Sequence, residues 1–314
     1  MNKQPLVILT GPTAVGKTEL SISLAKKIGG EIISADSMQV YTKMDIGTAK
    51  ITKEEMDGVP HYLIDVLDPG EDFNVVRFQS MAKEAMKEIY AKGKIPIVVG
   101  GTGFYIQALL YDINFDENDA DTTYREELET LVKEQGVDVL HDMLRKVDEK
   151  SAEAIHKNNF KRVIRALEFH HQTGKKMSEH NEEESQKESA YNSAYFVLTN
   201  DRDVLYDRIN KRIDIMVNDG LLEEVQALKD AGYKRDLVSM QGLGYKEILQ
   251  YFDGEITLEE AIYILKRDTR HFAKRQLTWF RREKEVIMVD KRELKETADQ
   301  LAFIESVLKE KSII

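Results

Sequence analysis

The segment Leu6-Val7-Ile8-Leu9-Thr10-Gly11-Pro12-Thr13-Ala14-Val15-Gly16-Lys17-Thr18 constrains this chain more than any other. A short apolar run meets the pattern G-x-x-x-x-G-K-[ST], and the helix-like stretch 19–28 follows at once. Strand, glycine-rich turn and helix form the context in which this spacing cradles phosphate. Gly11 and Gly16 let the backbone curl so that its N–H groups point inward, and the helix adds the positive end of its dipole. Lys17 supplies a mobile cation and Thr18 a hydroxyl suited to Mg2+. Gly11, Pro12, Thr13, Ala14, Val15, Gly16, Lys17 and Thr18 are therefore the expected diphosphate-binding residues. The motif alone does not separate a nucleoside triphosphate from another diphosphate.

Further apolar runs lie at 31–34, 62–66, 95–99, 195–198 and 286–289. They are continuous rather than alternating, which implies burial on both faces in a parallel sheet between helices. The expected fold class is α/β, a P-loop doubly wound, mostly parallel sheet with a helical insertion. Residues 115–193 carry no strand signal and read as helical and highly charged. The expected organisation is a core of 1–114 and 194–314 interrupted by a helical domain at 115–193. Within that domain, residues 180–189 (HNEEESQKES) read as a solvated loop. His170 and His171 lack a third ligand at metal spacing and read as structural.

The chain has 314 residues and no cysteine, which excludes disulfides, thiolate metal sites and cysteine nucleophiles. No stretch has the length of uncharged apolar sequence that a membrane-crossing helix requires. The apolar stretch from Pro5 to Leu9 is too short for a signal peptide. Cytoplasmic residence, no membrane association and a monomer are the expectations.

In open α/β sheets ligands sit beyond the carboxyl ends of the strands. The turn Ser34-Ala35-Asp36-Ser37-Met38-Gln39 follows one such strand. Asp36 there is a general base for an acceptor beside the diphosphate, a helix cap, or an acid in the outer shell of Mg2+. The cluster Gly100-Gly101-Thr102-Gly103 follows another strand, and its Thr102 hydroxyl is placed to touch substrate. Lys17, Thr18, Asp36 and Thr102 form the expected catalytic set. Arg208 and Arg212, four residues apart on one helix face, either clamp a diphosphate or pair with neighbouring acids.

The net charge is −11, which argues against indiscriminate nucleic-acid coating. Yet residues 266–284 hold eight Lys or Arg and two acids. At helical spacing Arg267, Arg270, Lys274 and Arg281 fall within about 60° of one another. Ile262, Leu265, Phe272, Trp279 and Phe280 fall on the opposite side. A one-sign row on an acidic protein favours a polyanion track over an ordinary solvated face.

The motifs GPTAVGKTEL, SADSMQVYTKMDIGTAK, HYLIDVLDP, GGTGFYIQALL, KRVIRALE, GLGYKE and TRHFAKRQLTWFRR together resemble the tRNA dimethylallyltransferases. They occur in order from Gly11 to about Arg282. The resemblance implies transfer of a dimethylallyl group from dimethylallyl diphosphate to N6 of adenine 37. That base lies in the anticodon loop of tRNAs reading codons that begin with U. It implies a phosphate loop that holds the isoprenoid diphosphate with Mg2+, and Asp36 as acceptor of the N6 proton. It further implies tRNA contacts from Asp36, Ser37, Met38, Gln39, Thr102, Arg125, Phe160, Lys161, Arg162, Val163 and Ile164. The same holds for Gln241, Gly242, Leu243, Gly244, Tyr245 and Lys246. Without cysteine the chain resembles the compact bacterial type rather than relatives with a zinc finger. A small-molecule P-loop kinase, an adenylate isopentenyltransferase and a non-enzymatic nucleotide-binding regulator are the competing readings. A kinase leaves the 266–284 stripe unexplained, and a free-nucleotide prenyltransferase has no need of it.

Overall fold

The computed structural model describes residues 3–115 and 123–314. The chain opens with β1 (Pro5–Thr10), α1 (Lys17–Ile28), β2 (Gly30–Ala35), β3 (His61–Tyr62), α2 (Val75–Ala91), β4 (Ile95–Gly100) and α3 (Gly103–Leu110). Five helices follow: α4 (Thr123–Gln135), α5 (Val137–Val147), α6 (Glu149–Ala154), α7 (Phe160–Thr173) and α8 (Met177–Ser185). The chain then returns to the sheet with β5 (Asn192–Thr199), α9 (Arg202–Asn218), α10 (Leu221–Asp230), α11 (Tyr245–Phe252), α12 (Leu258–Phe280), β6 (Val286–Asp290) and α13 (Thr297–Glu310). Two compact units result, Met1–Leu110 with Ser189–Ile314, and Tyr111–Glu188.

In the first unit all six strands are parallel, in the order β3-β2-β4-β1-β5-β6. Val7, Leu9, Ile32, Ile97 and Phe196 point to one face, where Leu20 and Leu24 of α1 and Ile304 and Leu308 of α13 cover them. The alternate residues Leu6, Ile8, Ile33, Val98 and Val197 are buried as well. Burial on both faces explains why these strands read as unbroken apolar runs. Each such side chain contributes about 1.5–3 kcal/mol on burial. The long helix α12 starts at a reciprocal cap: Thr257 Oγ1 accepts from Glu260 N, and Glu260 Oε2 accepts from Thr257 N at 2.8 Å.

The strand expected at 62–66 is shorter than its sequence suggests. Pairing with β2 stops at Tyr62, because Leu63 and Asp65 adopt positive φ (63° and 54°) and turn the chain away. The segment finds other partners: Asp65 N donates to Gln39 O, and Val66 N to Val40 O. The Asp65 carboxylate accepts from Lys50, whose buried ammonium also reaches Asp45 and the Tyr41 carbonyl.

The second unit is helical. Leu128, Leu140, Leu144, Val163, Ile164 and Leu167 form its core. The solvated loop expected at 180–189 is a helix for its first half, since α8 runs to Ser185. Its start is tied down by Asp148, whose carboxylate accepts from Ser178 N at 2.8 Å and Ser178 Oγ at 2.6 Å. His180 packs its ring on Phe169. Low hydrophobicity was a poor guide here because these contacts come from residues outside the run. His171 stacks on Tyr124, and His170 Nδ1 faces the Lys175 carbonyl, so both histidines hold structural contacts.

Candidate active site at the carboxyl end of the sheet

Strand register builds the site. Gly100 pairs with both Thr10 and Ala35, so β1, β4 and β2 end on one row. The phosphate loop, the glycine cluster and Asp36 each begin one residue past that row. Thr10 Oγ1 donates to Gly100 O at 2.7 Å, and Thr102 N donates to Ala35 O at 3.2 Å. Asp36 and Thr102 are thereby fixed side by side next to the phosphate loop.

The loop from Gly11 to Gly16 curls as its motif predicts. Gly16 sits at φ 94° immediately before α1, where a side chain is strained. Lys17 Nζ donates to the Gly11 and Pro12 carbonyls at 3.0 and 2.9 Å. Burial lowers the Lys17 pKa to about 8; the Asp36 charge opposes that shift and the Arg212 charge adds to it. Arg212 of α9 therefore lies within electrostatic reach of Lys17. Thr18, the second residue of α1, is exposed.

Asp36 Oδ1 accepts from Met38 N at 2.8 Å and Gln39 N at 3.3 Å. One oxygen of Asp36 thus caps its own turn, while Oδ2 makes no hydrogen bond among the described residues. The turn runs into a loop with its own supports. Gln39 Nε2 donates to the Thr48 and Ala49 carbonyls. Glu224 of α10 accepts from Asp45 N, Ile46 N and Gly47 N at 2.7–3.0 Å, and from Tyr245 Oη at 2.6 Å.

The segment 241–246 comes to this place. Met38 packs so closely on Gly242 that a Cβ there would lie 2.5 Å from its methyl carbon. Tyr245 is fully buried against Gly47, so it shapes the surface rather than forming it. Burial, then the Glu224 charge, pushes its phenol pKa up. Gln241 is exposed, and Lys246 is half-buried beside Glu247.

Two residues absent from the sequence reading support the site. Gln276 of α12 is buried; its Oε1 accepts from Thr13 N at 2.9 Å, and its Nε2 donates to Gly101 O at 3.0 Å. One amide therefore couples the phosphate loop to the glycine cluster. Its signal was available: a glutamine at helical spacing with Leu265, Ala273 and Phe280 occupies a core position. Glu224 gave no such signal, since it lies in an ordinary acidic first turn.

The basic row differs from expectation. Lys274 and Arg281 are exposed, but Arg267 pairs with Asp268 at 2.8 Å, and Arg270 donates to Asn210 at 2.7 Å. Arg270 also stands over the Tyr206 ring. The apolar side is narrower too: Phe272 and Trp279 are only partly buried, and Ala261, Leu265, Ala273, Gln276 and Phe280 form the seam.

In the helical unit, Arg125 binds Glu168 through two 2.8 Å bonds. On α7, Lys161 and Arg162 are exposed and Phe160 is half-buried, whereas Val163 and Ile164 belong to the core. Only the first three can offer side chains to a ligand. Among the described residues no helix is long and apolar enough to cross a membrane.

Known proteins share this architecture. The IPP transferase family model matches residues 39–283, and an isopentenyl transferase model matches residues 4–70. A tRNA dimethylallyltransferase of Lachnoclostridium phytofermentans is 63% identical over 311 residues, covering 99% of both chains. One of Bacillus cereus is 51% identical over 312 residues, covering 99% of this chain and 98% of its own. The crystal structure of the full-length tRNA isopentenylpyrophosphate transferase of Bacillus halodurans superposes with a TM-score of 0.74 at 51% identity, covering 99% of this chain and 98% of that one. A eukaryotic dimethylallyltransferase acting on tRNA superposes with a TM-score of 0.84 at 30% identity, covering 99% of this chain and 79% of that one. A family match over residues 39–283 and identity of this extent over nearly the whole chain mean that the chain belongs to the IPP transferase family of tRNA dimethylallyltransferases.

Proposed function

We propose that this enzyme transfers the dimethylallyl group of dimethylallyl diphosphate to N6 of adenine 37 in the anticodon loop of tRNAs reading codons that begin with U. The observation that carries this reading is the single row of strand ends that brings the Lys17 loop, Asp36 and Thr102 to one edge of the sheet, where we place the substrate crevice. Adenine N6 is a weak nucleophile, because its lone pair is delocalised into the ring. The allylic C1–O bond breaks readily once charge on the departing diphosphate is stabilised. As that bond breaks, its electron pair stays on the diphosphate oxygen, the N6–C1 bond forms, and N6 loses a proton.

Lys17 and the loop amides hold the diphosphate and stabilise its growing charge. Asp36 Oδ2 accepts the N6 proton while Oδ1 keeps the turn in place. Thr102 orients the acceptor base. A base stacked in the anticodon loop cannot enter this crevice, so it is flipped out. Met38, Gln39 and the 241–246 segment form one wall for the RNA, and Lys161 and Arg162 offer phosphate contacts. The donor set fits Mg2+: Thr18 offers one hydroxyl beside the diphosphate loop, and no group of three acids or histidines is found among the described residues. Mg2+ takes one or two protein oxygens and completes its shell with phosphates and water. When bound, it neutralises charge on the diphosphate. We place the enzyme in the cytoplasm, acting as a monomer.

The test is incubation with radiolabelled dimethylallyl diphosphate and, in turn, tRNA lacking the modification, AMP and ATP. Label in tRNA alone supports the reading. Label in AMP or ATP, or in none, overturns it.

A further inference from the structure

Beyond the phosphate-loop motif, one cation stands at the loop with no assigned role. Lys291 follows β6, and its backbone N–H donates to Thr199 O at 3.0 Å, which fixes it at the carboxyl edge of the sheet. Its Nζ lies beside Gly16: a Cβ built on that glycine would be 3.1 Å away. The neighbouring Arg292 is consumed by Asp290 through 2.9 Å hydrogen bonds. Lys291 Nζ makes no hydrogen bond or ion pair among the described residues. A half-buried ammonium with no direct hydrogen-bond partner is costly unless an anion visits it.

We propose that Lys291 is a further diphosphate-binding residue, contacting the oxygens of the leaving group at the Gly16 end of the phosphate loop. This rests on the diphosphate reading of the loop given above. The surroundings agree with it. Burial, with the Arg208 charge adding to it, holds the Lys291 pKa below the usual lysine range, while Glu19 opposes the shift. Arg208 and Arg212 lie one turn apart on α9. Two lysines from separate segments, Lys17 at the Gly11–Pro12 carbonyls and Lys291 at Gly16, then stand at one loop, in a protein of net charge −11. Such a concentration of positive charge around backbone N–H groups suits a ligand with several negative charges. During transfer the C1–O electron pair moves onto the diphosphate, and Lys291 stabilises that charge without giving up a proton.

The experiment measures inorganic pyrophosphate affinity by calorimetry, and kcat/KM for dimethylallyl diphosphate at saturating tRNA. Lys291→Ala, Lys291→Arg and Lys17→Ala are compared with the wild type, with melting temperature checked for each. Loss of one charge-assisted contact weakens binding on the order of tenfold. Lys291→Ala should lose about that factor in both pyrophosphate affinity and kcat/KM, with tRNA affinity unchanged. Lys291→Arg should retain most of both. If Lys17→Ala loses affinity while Lys291→Ala stays within about twofold of wild type, Lys291 is outside the site and the proposal fails alone. If the wild type itself does not bind pyrophosphate, the diphosphate reading fails and takes the proposal with it.

Discussion

Gln276 accepts a hydrogen bond from the backbone of Thr13 and donates one to the backbone of Gly101, although 263 and 175 residues separate it from them. The phosphate loop is thus set against the glycine cluster by a residue of α12 that need not touch substrate. Gln276→Ala removes both bonds and leaves two buried backbone groups unpaired. A small misplacement of reacting groups costs up to about a hundredfold in rate. Turnover of Gln276→Ala should fall by about ten- to a hundredfold, with tRNA affinity kept. Gln276→Glu can still accept from Thr13 but repels the Gly101 carbonyl, so it should be at least as impaired. Wild-type turnover in the Glu variant would show that the Gly101 bond is unimportant.

The turn cap at Asp36 Oδ1 and the proposed base at Oδ2 can be separated by substitution. Asparagine retains an oxygen that accepts from Met38 N and Gln39 N, but it cannot take a proton. Removing a positioned general base costs about 10²–10⁴-fold. Asp36→Asn and Asp36→Ala should both lose that factor in single-turnover rate while binding pyrophosphate nearly normally. A near-normal rate in Asp36→Asn, with a deficit in Asp36→Ala, would make Asp36 a cap only.

The sheet and phosphate loop were legible because their signals are local. Runs such as 6–9 and 95–99 are buried on both faces, and the glycines at 11 and 16 sit at fixed spacing. The end of β3 was not legible, since Leu63 and Asp65 turn in response to Lys50 and Val40, which lie earlier in the chain. The same limit applies at the site. Asp36 and Thr102 followed strands and were found from that placement. Glu224 and Lys291 act through partners that only the strand order and the loop packing bring near. Packing was not legible in the motifs either: Val163, Ile164 and Tyr245 have buried side chains.

Asp148 predicts acid sensitivity in the helical unit. Its carboxylate accepts from Ser151 N, Ser151 Oγ, Ser178 N and Ser178 Oγ at 2.6–3.1 Å. Burial alone pushes its pKa up, but these bonds outweigh burial and hold it below the usual carboxylate range. A carboxyl group depressed on folding stabilises fully above its ordinary value near 3.8 and loses that contribution as pH falls through the lower one. Asp148→Asn should therefore be less stable than wild type at pH 7 by about 1.5–3 kcal/mol. The gap should narrow below pH ~4. Chemical denaturation at both pH values checks this, and a constant gap would rule out the titration.

The basic row predicts a divided salt response. Each phosphate contact steepens the fall of log affinity with log salt by roughly 0.7–0.9. Lys274 and Arg281 are exposed and make no ion pair among the described residues, so both are available to RNA phosphates. Arg267 and Arg270 are held by Asp268 and Asn210, and must give up those partners before they contribute. Lys274→Ala with Arg281→Ala should flatten the salt slope of tRNA binding by roughly 1.4–1.8, two contacts' worth. Arg267→Ala with Arg270→Ala should flatten it less. Pyrophosphate affinity should be unchanged in both, because the proposed diphosphate site is Lys17 and the loop amides. Equal slopes in wild type and the first pair would reduce α12's outer face to a solvated surface. RNA binding would then fall to the Met38 wall, the 241–246 segment and the cations of α7.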